Sequence, residues 1–396
     1  MFGMIQLKKT PSHTAIHSWV NQVGYYKLTM PKEMADDWIY LVDNSLRIEN
    51  RIVVLVLGIR SSTLKKGYYP SFKDLDCIEM RLIKKNWEIE GVLEDAIGKT
   101  GVPLSICSDN GPDVKPSLRR IKSKHSKIHL TSDIMHKVGN MLKKRLVDDK
   151  EWNRFVRKIN KSKNTLKQSE LSFLCPPNFR GIQRFLNCKD VLDYANSMLA
   201  FLKEMKKDHP NRDEILKKIG WILKEVKNIA IFTELFELAH ISKEIVRQLH
   251  IEHEGWKVAE QLLADHASSE DGKLFAKGVV DFLKIQCELL PLGVLLLGCS
   301  EIIESAFSKL KLLSRECGIS GYTKSIIGLA ACFGASDLAS ITKAFEEVHP
   351  KEIAAWEKIY IGETIQKKRK KAFKCKKKID LGAKLGGYIE CYSMAA

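Results

Sequence analysis

Hydrophobic and polar positions divide the chain into two textures. Residues 38–43 (WIYLVD), 51–59 (RIVVLVLGI) and 77–83 (CIEMRLI) are short apolar or alternating runs rich in β-branched and aromatic residues, the pattern of strands. Residues 87–97 switch to helical spacing, closed by Gly98 and Gly101. Residues 103–107 (PLSIC) read as a short buried strand running into Ser108-Asp109-Asn110-Gly111-Pro112, a strong turn signal. A fifth strand is predicted at 128–130 and a helix over 134–146. Beyond residue 150 the strand pattern nearly disappears. Helical periods occupy 191–205, 212–225, 229–249 and 273–289, broken at Pro176-Pro177, His209-Pro210 and Ser268-Ser269, and a helix returns over 299–315. Before the first strand, 12–28 predicts one helix ending at Gly24. The expected architecture is α/β: a mixed-sheet core interrupted by a large all-helical block.

Composition bounds the partners. With 396 residues, 44% apolar residues, 11 Pro and 24 Gly, the chain can build a sizeable core and is neither disordered nor collagen-like. Its net charge of +17 makes a polyanion the leading partner, nucleic acid before an acidic membrane surface. The charge is local. Residues 115–167 hold 17 Lys and Arg against four acids, and 366–378 (QKKRKKAFKCKKK) add nine basic residues and no acid, so the rest of the chain is net negative. In 115–167 the cations interleave with Trp152, Phe155 and Ile159, which predicts amphipathic helix with the charges on one ordered face. The 366–378 run reads equally as a solvated tail.

Ten cysteines without a CxxC pair point to reduced thiols in the cytosol. The N-terminus lacks the apolar region of a signal peptide, and the apolar stretch 289–300 is too short to span a bilayer and contains Pro291, so a soluble intracellular protein is expected. Walker A and Gly-x-Gly-x-x-Gly patterns are absent. His125 and His129, four apart, have no Cys or HExxH context and do not make a convincing zinc site. His250 and His253 are expected at a polar, solvent-facing helix end, and Trp152, Trp221, Trp256 and Trp356 at core positions.

Three carboxylates stand in unusual surroundings. Asp43 closes the apolar run WIYLVD, Asp109 closes PLSIC, and Glu304 lies among Ile302, Ile303 and Phe307 on a helical pattern. Taken singly, Asp43 reads as a turn or cap, Asp109 as an Asx turn and Glu304 as a surface helix residue. Taken together, two neighbouring strand ends and one helix could bring three carboxylates to one point. An oxygen-only donor set of that kind suits Mg²⁺. Two such ions, with Mn²⁺ as an expected substitute, would serve metal-assisted phosphoryl transfer.

In that order and context the chain resembles the DDE transposases of the RNase H-like superfamily, in particular bacterial insertion-sequence transposases with an α-helical insertion before the final Glu. The matching residues are Asp43, Asp109 within SICSDNGPD, and Glu304 within CSEIIESAFSKLK, spaced by 66 and 195 positions. Glu304-Ser305-Ala306-Phe307-Ser308 is similar to the E-R-x-F-S helix of the hAT superfamily, with Ser305 in place of Arg. Asp133-Ile134-Met135-His136 is similar to its C-x-x-H element, with Asp133 in place of Cys, which makes Asp133 and His136 supporting residues by resemblance. Glu301, three residues earlier on the same helical side, competes with Glu304 for the third carboxylate, and Asp113 competes with Asp109.

The resemblance implies an N-terminal DNA-binding remnant over 1–37, with the chain read as N-terminally short. It implies the first part of an RNase H-like core over 38–150, an all-helical insertion over 151–292, a core return with the Glu helix over 293–365, and a basic tail over 366–396. It further implies Mg²⁺-dependent cleavage and strand transfer on double-stranded DNA, both element ends and target, by a homodimer or higher assembly that associates with the nucleoid. Lys309, Lys311 and Arg315, following Glu304 at helical spacing, are expected on DNA phosphates, and so are Arg119, Arg120, Lys137, Lys143, Lys144 and Arg145 of the basic segment. The competing readings are an RNase H-like nuclease or resolvase, and an inactive truncated transposase that acts only as a basic DNA-binding protein.

Overall fold

The computed structural model describes residues 10–48, 50–178, 188–288, 290–316, 326–363 and 365–373. Helix α1 (His13–Thr29) precedes a five-stranded mixed sheet built from β1 (Trp38–Ile48), β2 (Arg51–Arg60), β3 (Asp76–Ile83), β4 (Ser105–Ser108) and β5 (His129–Ser132). The first three strands form an antiparallel meander, and β4 and β5 add in parallel on the free side of β1, giving the order β3-β2-β1-β4-β5. Residues 39–42 and 53–57 are fully buried, which is why these runs are continuously apolar rather than alternating.

One face of the sheet packs Trp38, Tyr40, Val42, Val54, Val56 and Ile78 against α2 (Ile89–Thr100) and α3 (Lys115–Lys124), through Val92, Leu93, Ala96, Leu118 and Ile121. Helix α2 runs through Gly98 and stops at Gly101, whose φ of 87° only glycine adopts cheaply and where a Cβ would stand 3.0 Å from the Ala35 carbonyl oxygen. Helix α4 (Ile134–Leu146) follows β5 directly and has the bounds that the hydrophobic spacing predicts.

The helical block comprises α5 (Lys150–Leu166), α6 (Lys189–Glu204), α7 (Arg212–Ile219), α8 (Val226–Leu249), α9 (Gly255–His266) and α10 (Glu270–Cys287). The stripe of α5 is buried as its pattern requires. Trp152 meets Phe232 edge-on with ring centroids 5.0 Å apart, and Phe155 meets Trp221 at 6.0 Å. Then come α11 (Glu301–Glu316), α12 (Leu338–Glu347), α13 (Pro350–Trp356) and α14 (Ile365–Phe373). Contacts divide the chain into two units. One comprises Met1–Tyr26, Ser308–Ala331 and Leu338–Ala396, and the other Lys27–Phe307 and Cys332–Asp337. The sheet, the helical block and the first turns of α11 belong to the second unit. Within the first, Trp19 packs on Phe345 with centroids 6.4 Å apart and Gln22 Nε2 donates to the Val348 carbonyl at 3.2 Å.

Several local expectations are corrected. Helix α1 does not end at Gly24. A Cβ there would come within 2.1 Å of the Ile327 carbonyl oxygen, so this glycine permits close backbone approach rather than termination. Strand β1 continues past Asp43 because β2 supplies hydrogen-bonding partners as far as Ile48, so Asp43 is internal to its strand. The expected 212–225 helix is α7 followed by a 3₁₀ turn, Gly220–Lys224. His250 is buried rather than solvent-facing: it sits at φ 59° beyond α8 with Nε2 3.1 Å from the Lys65 carbonyl oxygen. Trp221 and Trp256 are half-buried, and Trp256 carries Lys284 Nζ 4.9 Å above its ring instead of filling a core.

Candidate active site

The parallel pairing of β1 with β4 sets the geometry. Leu41 pairs with Cys107, and the same register two residues further on brings Asp43 level with Asp109, just past the end of β4. The Asp43 carboxylate accepts from the Asn44 amide at 2.7 Å. Its pKa is pushed up to about 7, first by burial and then by the negative charges of Asp109 and Glu304, against which the Asn44 hydrogen bond and His136 act. The charges of Asp109 and Glu304 thus add to burial in opposing ionisation of Asp43.

Asp109 lies in the turn that the sequence signals. Its Oδ1 accepts from the Gly111 amide at 2.8 Å, and Asn110 adopts a φ of 53°. Gly111 allows this fold-back, since a Cβ there would stand 3.0 Å from Asp109 Oδ2. The Asx turn and proximity to Asp43 thus coexist in one residue. Asp113 is engaged elsewhere, accepting from Asn86 Nδ2 at 2.6 Å.

Glu304 is half-exposed on the first turns of α11, with Oε1 3.5 Å from His136 Nε2. That helix buries Ile302, Ile303, Ala306, Phe307 and Leu310 and leaves Glu304 on its outer side. Glu301 faces away from the carboxylate pair: Lys243 Nζ lies 2.9 Å and Arg247 Nη1 3.3 Å from its two oxygens. Of the two, Glu304 is the one whose charge acts on Asp43.

Asp133 and His136 join the same cluster. Asp133 caps α4, accepting from the Met135 and His136 amides, and its other oxygen accepts from the Ser300 amide at 2.7 Å and from the Ser300 hydroxyl. Burial opposes ionisation of Asp133, yet His136 and the Ser300 hydrogen bonds hold its pKa below the usual carboxylate range. His136 Nδ1 lies 3.7 Å from Asp133, an ion-pair rather than a hydrogen-bond distance. Asp133, more than the burial that opposes it, raises the imidazole pKa to about 9, with Glu304 and Asp109 adding to the effect. His136 is therefore a cation among carboxylates at neutral pH. Tyr69, whose hydroxyl donates to the Cys299 carbonyl at 3.0 Å, also belongs here, and its loop carries no sequence signal that would have singled it out.

The donor set of Asp43, Asp109 and Glu304 is all oxygen, and Asp43 is held back from ionising by burial first and by the charges of Asp109 and Glu304 second. Both features fit a hard divalent cation. Among the described residues, no three His, Cys, Asp or Glu side chains are already drawn onto one point at ligand geometry.

The cations fall into three groups. Arg119, Lys143 and Lys144 are exposed. Arg120 pairs with Glu90, Lys137 lies 5.2 Å over the Phe282 ring, and Arg145 grips Asp271 in bidentate fashion at 3.0 and 2.6 Å and Asp149 at 2.6 Å, tying α4 to α10. Lys309 is exposed and Lys311 half-buried on α11, whereas the side chain of Arg315 lies outside the described residues. Of the C-terminal run, α14 presents 367–371 on its surface, and 374–378 lie outside the described residues. His125 Nε2 lies 3.2 Å from Glu94. Among the described residues no helix is long and apolar enough to cross a membrane.

No protein family matches the chain, and no curated protein matches it. Among solved structures it is similar to the Drosophila P element transposase strand transfer complex, with a TM-score of 0.38 and 14% identity over 87% of this chain and 85% of that one. A likeness so distant says nothing about chemistry.

Proposed function

We propose that the chain is a DDE-type transposase: a polynucleotidyl transferase that cuts and joins double-stranded DNA through an RNase H-like core split by an all-helical insertion. One observation carries this reading. Parallel pairing sets Asp43 on the central strand level with Asp109 at the end of the adjoining strand, and Asp43 is pushed up to about 7 first by burial and then by the charges of Asp109 and of Glu304, 195 residues further on. The sheet order β3-β2-β1-β4-β5, antiparallel then parallel, supports the RNase H-like reading of the core.

Asp43, Asp109 and Glu304 would hold two Mg²⁺ ions, or Mn²⁺ in their place. When bound, these supply activation of the attacking oxygen and charge stabilisation of the leaving one. The chain's residues then have positioning work, since phosphoryl transfer asks little covalent chemistry of a protein. Asp133 orients His136, and His136 places a positive charge beside Glu304. Lys309, Lys311 and Arg315 would bind phosphates of the transferred strand, and Arg119, Lys143 and Lys144 the duplex backbone without reading sequence. A homodimer or larger assembly on DNA belongs to the same proposal, as does a cytoplasmic, nucleoid-associated location.

The test is nicking and strand transfer on DNA carrying the ends that flank the gene, with wild type and Asp109→Ala. The expected result is Mg²⁺- or Mn²⁺-dependent joined products that vanish in the variant. Cleaved but unjoined products would identify a nuclease or resolvase with the same cluster. A second reading is favoured by the absence, among the described residues, of three side chains already drawn onto a metal position: a basic DNA-binding protein without chemistry. It requires binding without cleavage in either metal, and indifference to Asp109→Ala.

A further inference from the structure

The helix that carries Glu304 is gripped from the helical block at a different carboxylate. Lys243 and Arg247, one turn apart on α8, both reach Glu301 on the first turn of α11, at 2.9 and 3.3 Å. The Arg247 guanidinium also lies 4.6 Å over the Tyr69 ring, and the Tyr69 hydroxyl holds the Cys299 carbonyl, two residues before Glu301. Arg247 is shared, more loosely, with Glu244 of its own helix at 3.6 Å. From another side, Ser300 donates its amide and hydroxyl to Asp133. The start of α11 is thus fixed by α8, by the Tyr69 loop and by the cap of α4.

An isolated ion pair at this exposure would contribute little. Here one carboxylate receives two cations, and one of those is stacked on a half-buried aromatic ring, so the group acts as a network. Its leverage is angular. Glu304 follows Glu301 by three residues, close to one helical turn, so a rotation of α11 that frees Glu301 also swings Glu304 away from Asp43 and Asp109.

We infer that Lys243, Arg247 and Glu301 are positioning residues: a latch through which the helical block sets the orientation of Glu304 toward the other two carboxylates. The inference rests on the reading of Glu304 as the third carboxylate. Misplacement of a reacting group by about 1 Å costs on the order of 100-fold in rate, so the latch acts on turnover rather than on DNA affinity.

A charge swap tests it. Glu301→Lys and Lys243→Glu should each lower kcat for metal-dependent nicking by roughly tenfold or more while leaving duplex Kd within about twofold. The double variant should recover at least about threefold over either single one, because the 243–301 pair is re-formed with its signs exchanged, while Arg247, now facing a lysine, keeps the recovery incomplete. Undiminished nicking by Glu301→Lys, or a double variant no better than either single one, would overturn the latch. A second measurement uses the milder Glu301→Gln and needs neither metal nor DNA. Amide hydrogen exchange over 301–307 should accelerate by about tenfold while β1 and β4 stay unchanged. Unaltered exchange overturns the latch even in an active enzyme. Faster exchange in a chain that cleaves nothing supports the latch and defeats the DNA-cleavage reading.

Discussion

Asp43 and His136 both have folded pKa values raised, the first because burial and like charges disfavour its anion and the second because carboxylates favour its cation, so each makes stability fall as pH rises, over a different window. The folded state keeps the Asp43 proton up to about pH 7, whereas an unfolded chain releases it near pH 4. The native state therefore binds more protons across that window, and stability falls as pH rises through it. Asp43→Asn removes the penalty. It is expected to unfold at higher denaturant concentration than wild type at pH 8, by roughly 2–4 kcal/mol, and to match wild type at pH 4. Mg²⁺ should raise the Tm of wild type at pH 8 and leave that of the variant almost unmoved. His136 has a folded pKa raised to about 9, so its contribution is complete below about pH 6.5 and is lost as pH rises through 9. His136→Asn should lower Tm most near pH 6, with the gap to wild type closing by pH 10 in thermal scans. The sequence exposed these residues by type and context. It left Glu301 and Glu304 competing, because two residues three positions apart lie on one side of a helix and only what packs beside them tells which partner each one meets.

Helix α4 separates two kinds of cation that look alike in the string Lys143-Lys144-Arg145. Arg145 bridges Asp149 and Asp271 and so joins α4 to α10, whereas Lys143 and Lys144 point to solvent. Arg145→Ala is expected to lower Tm and to leave the salt dependence of DNA binding unchanged. Replacing Lys143 and Lys144 together by Ala should leave Tm within error and reduce the slope of log K against log salt by about 2, measured by titration at several ionic strengths. The bounds of α4 were legible because its apolar spacing is regular and Asp133 caps it. The continuation of β1 past Asp43 and the persistence of α1 through Gly24 were not. The first depends on a partner strand, and the second on a carbonyl more than 300 residues away in sequence.

Across the whole molecule, the basic segment 115–167 and the proposed catalytic Asp43 and Asp109 lie on different stretches of chain, so under the proposal duplex binding and chemistry should largely separate. With EDTA present, Asp109→Asn is expected to bind duplex DNA at least as tightly as wild type, because removing an anion near the proposed DNA path lowers repulsion toward phosphate; filter-binding isotherms at fixed salt would check this. The sequence by itself determined the five strands, most of the helices, the local basic segment and the candidate carboxylates. Strand and helix periodicity, turn residues and charge runs are local properties, written within a few residues of one another. Only the tertiary structure decided that Glu301 pairs with α8 and Glu304 lies beside His136, that the His136 pKa is raised, and that Arg145 joins α4 to α10. Each of these depends on burial and on partners tens to hundreds of residues apart, and the energy of a charge is set by what folding brings beside it.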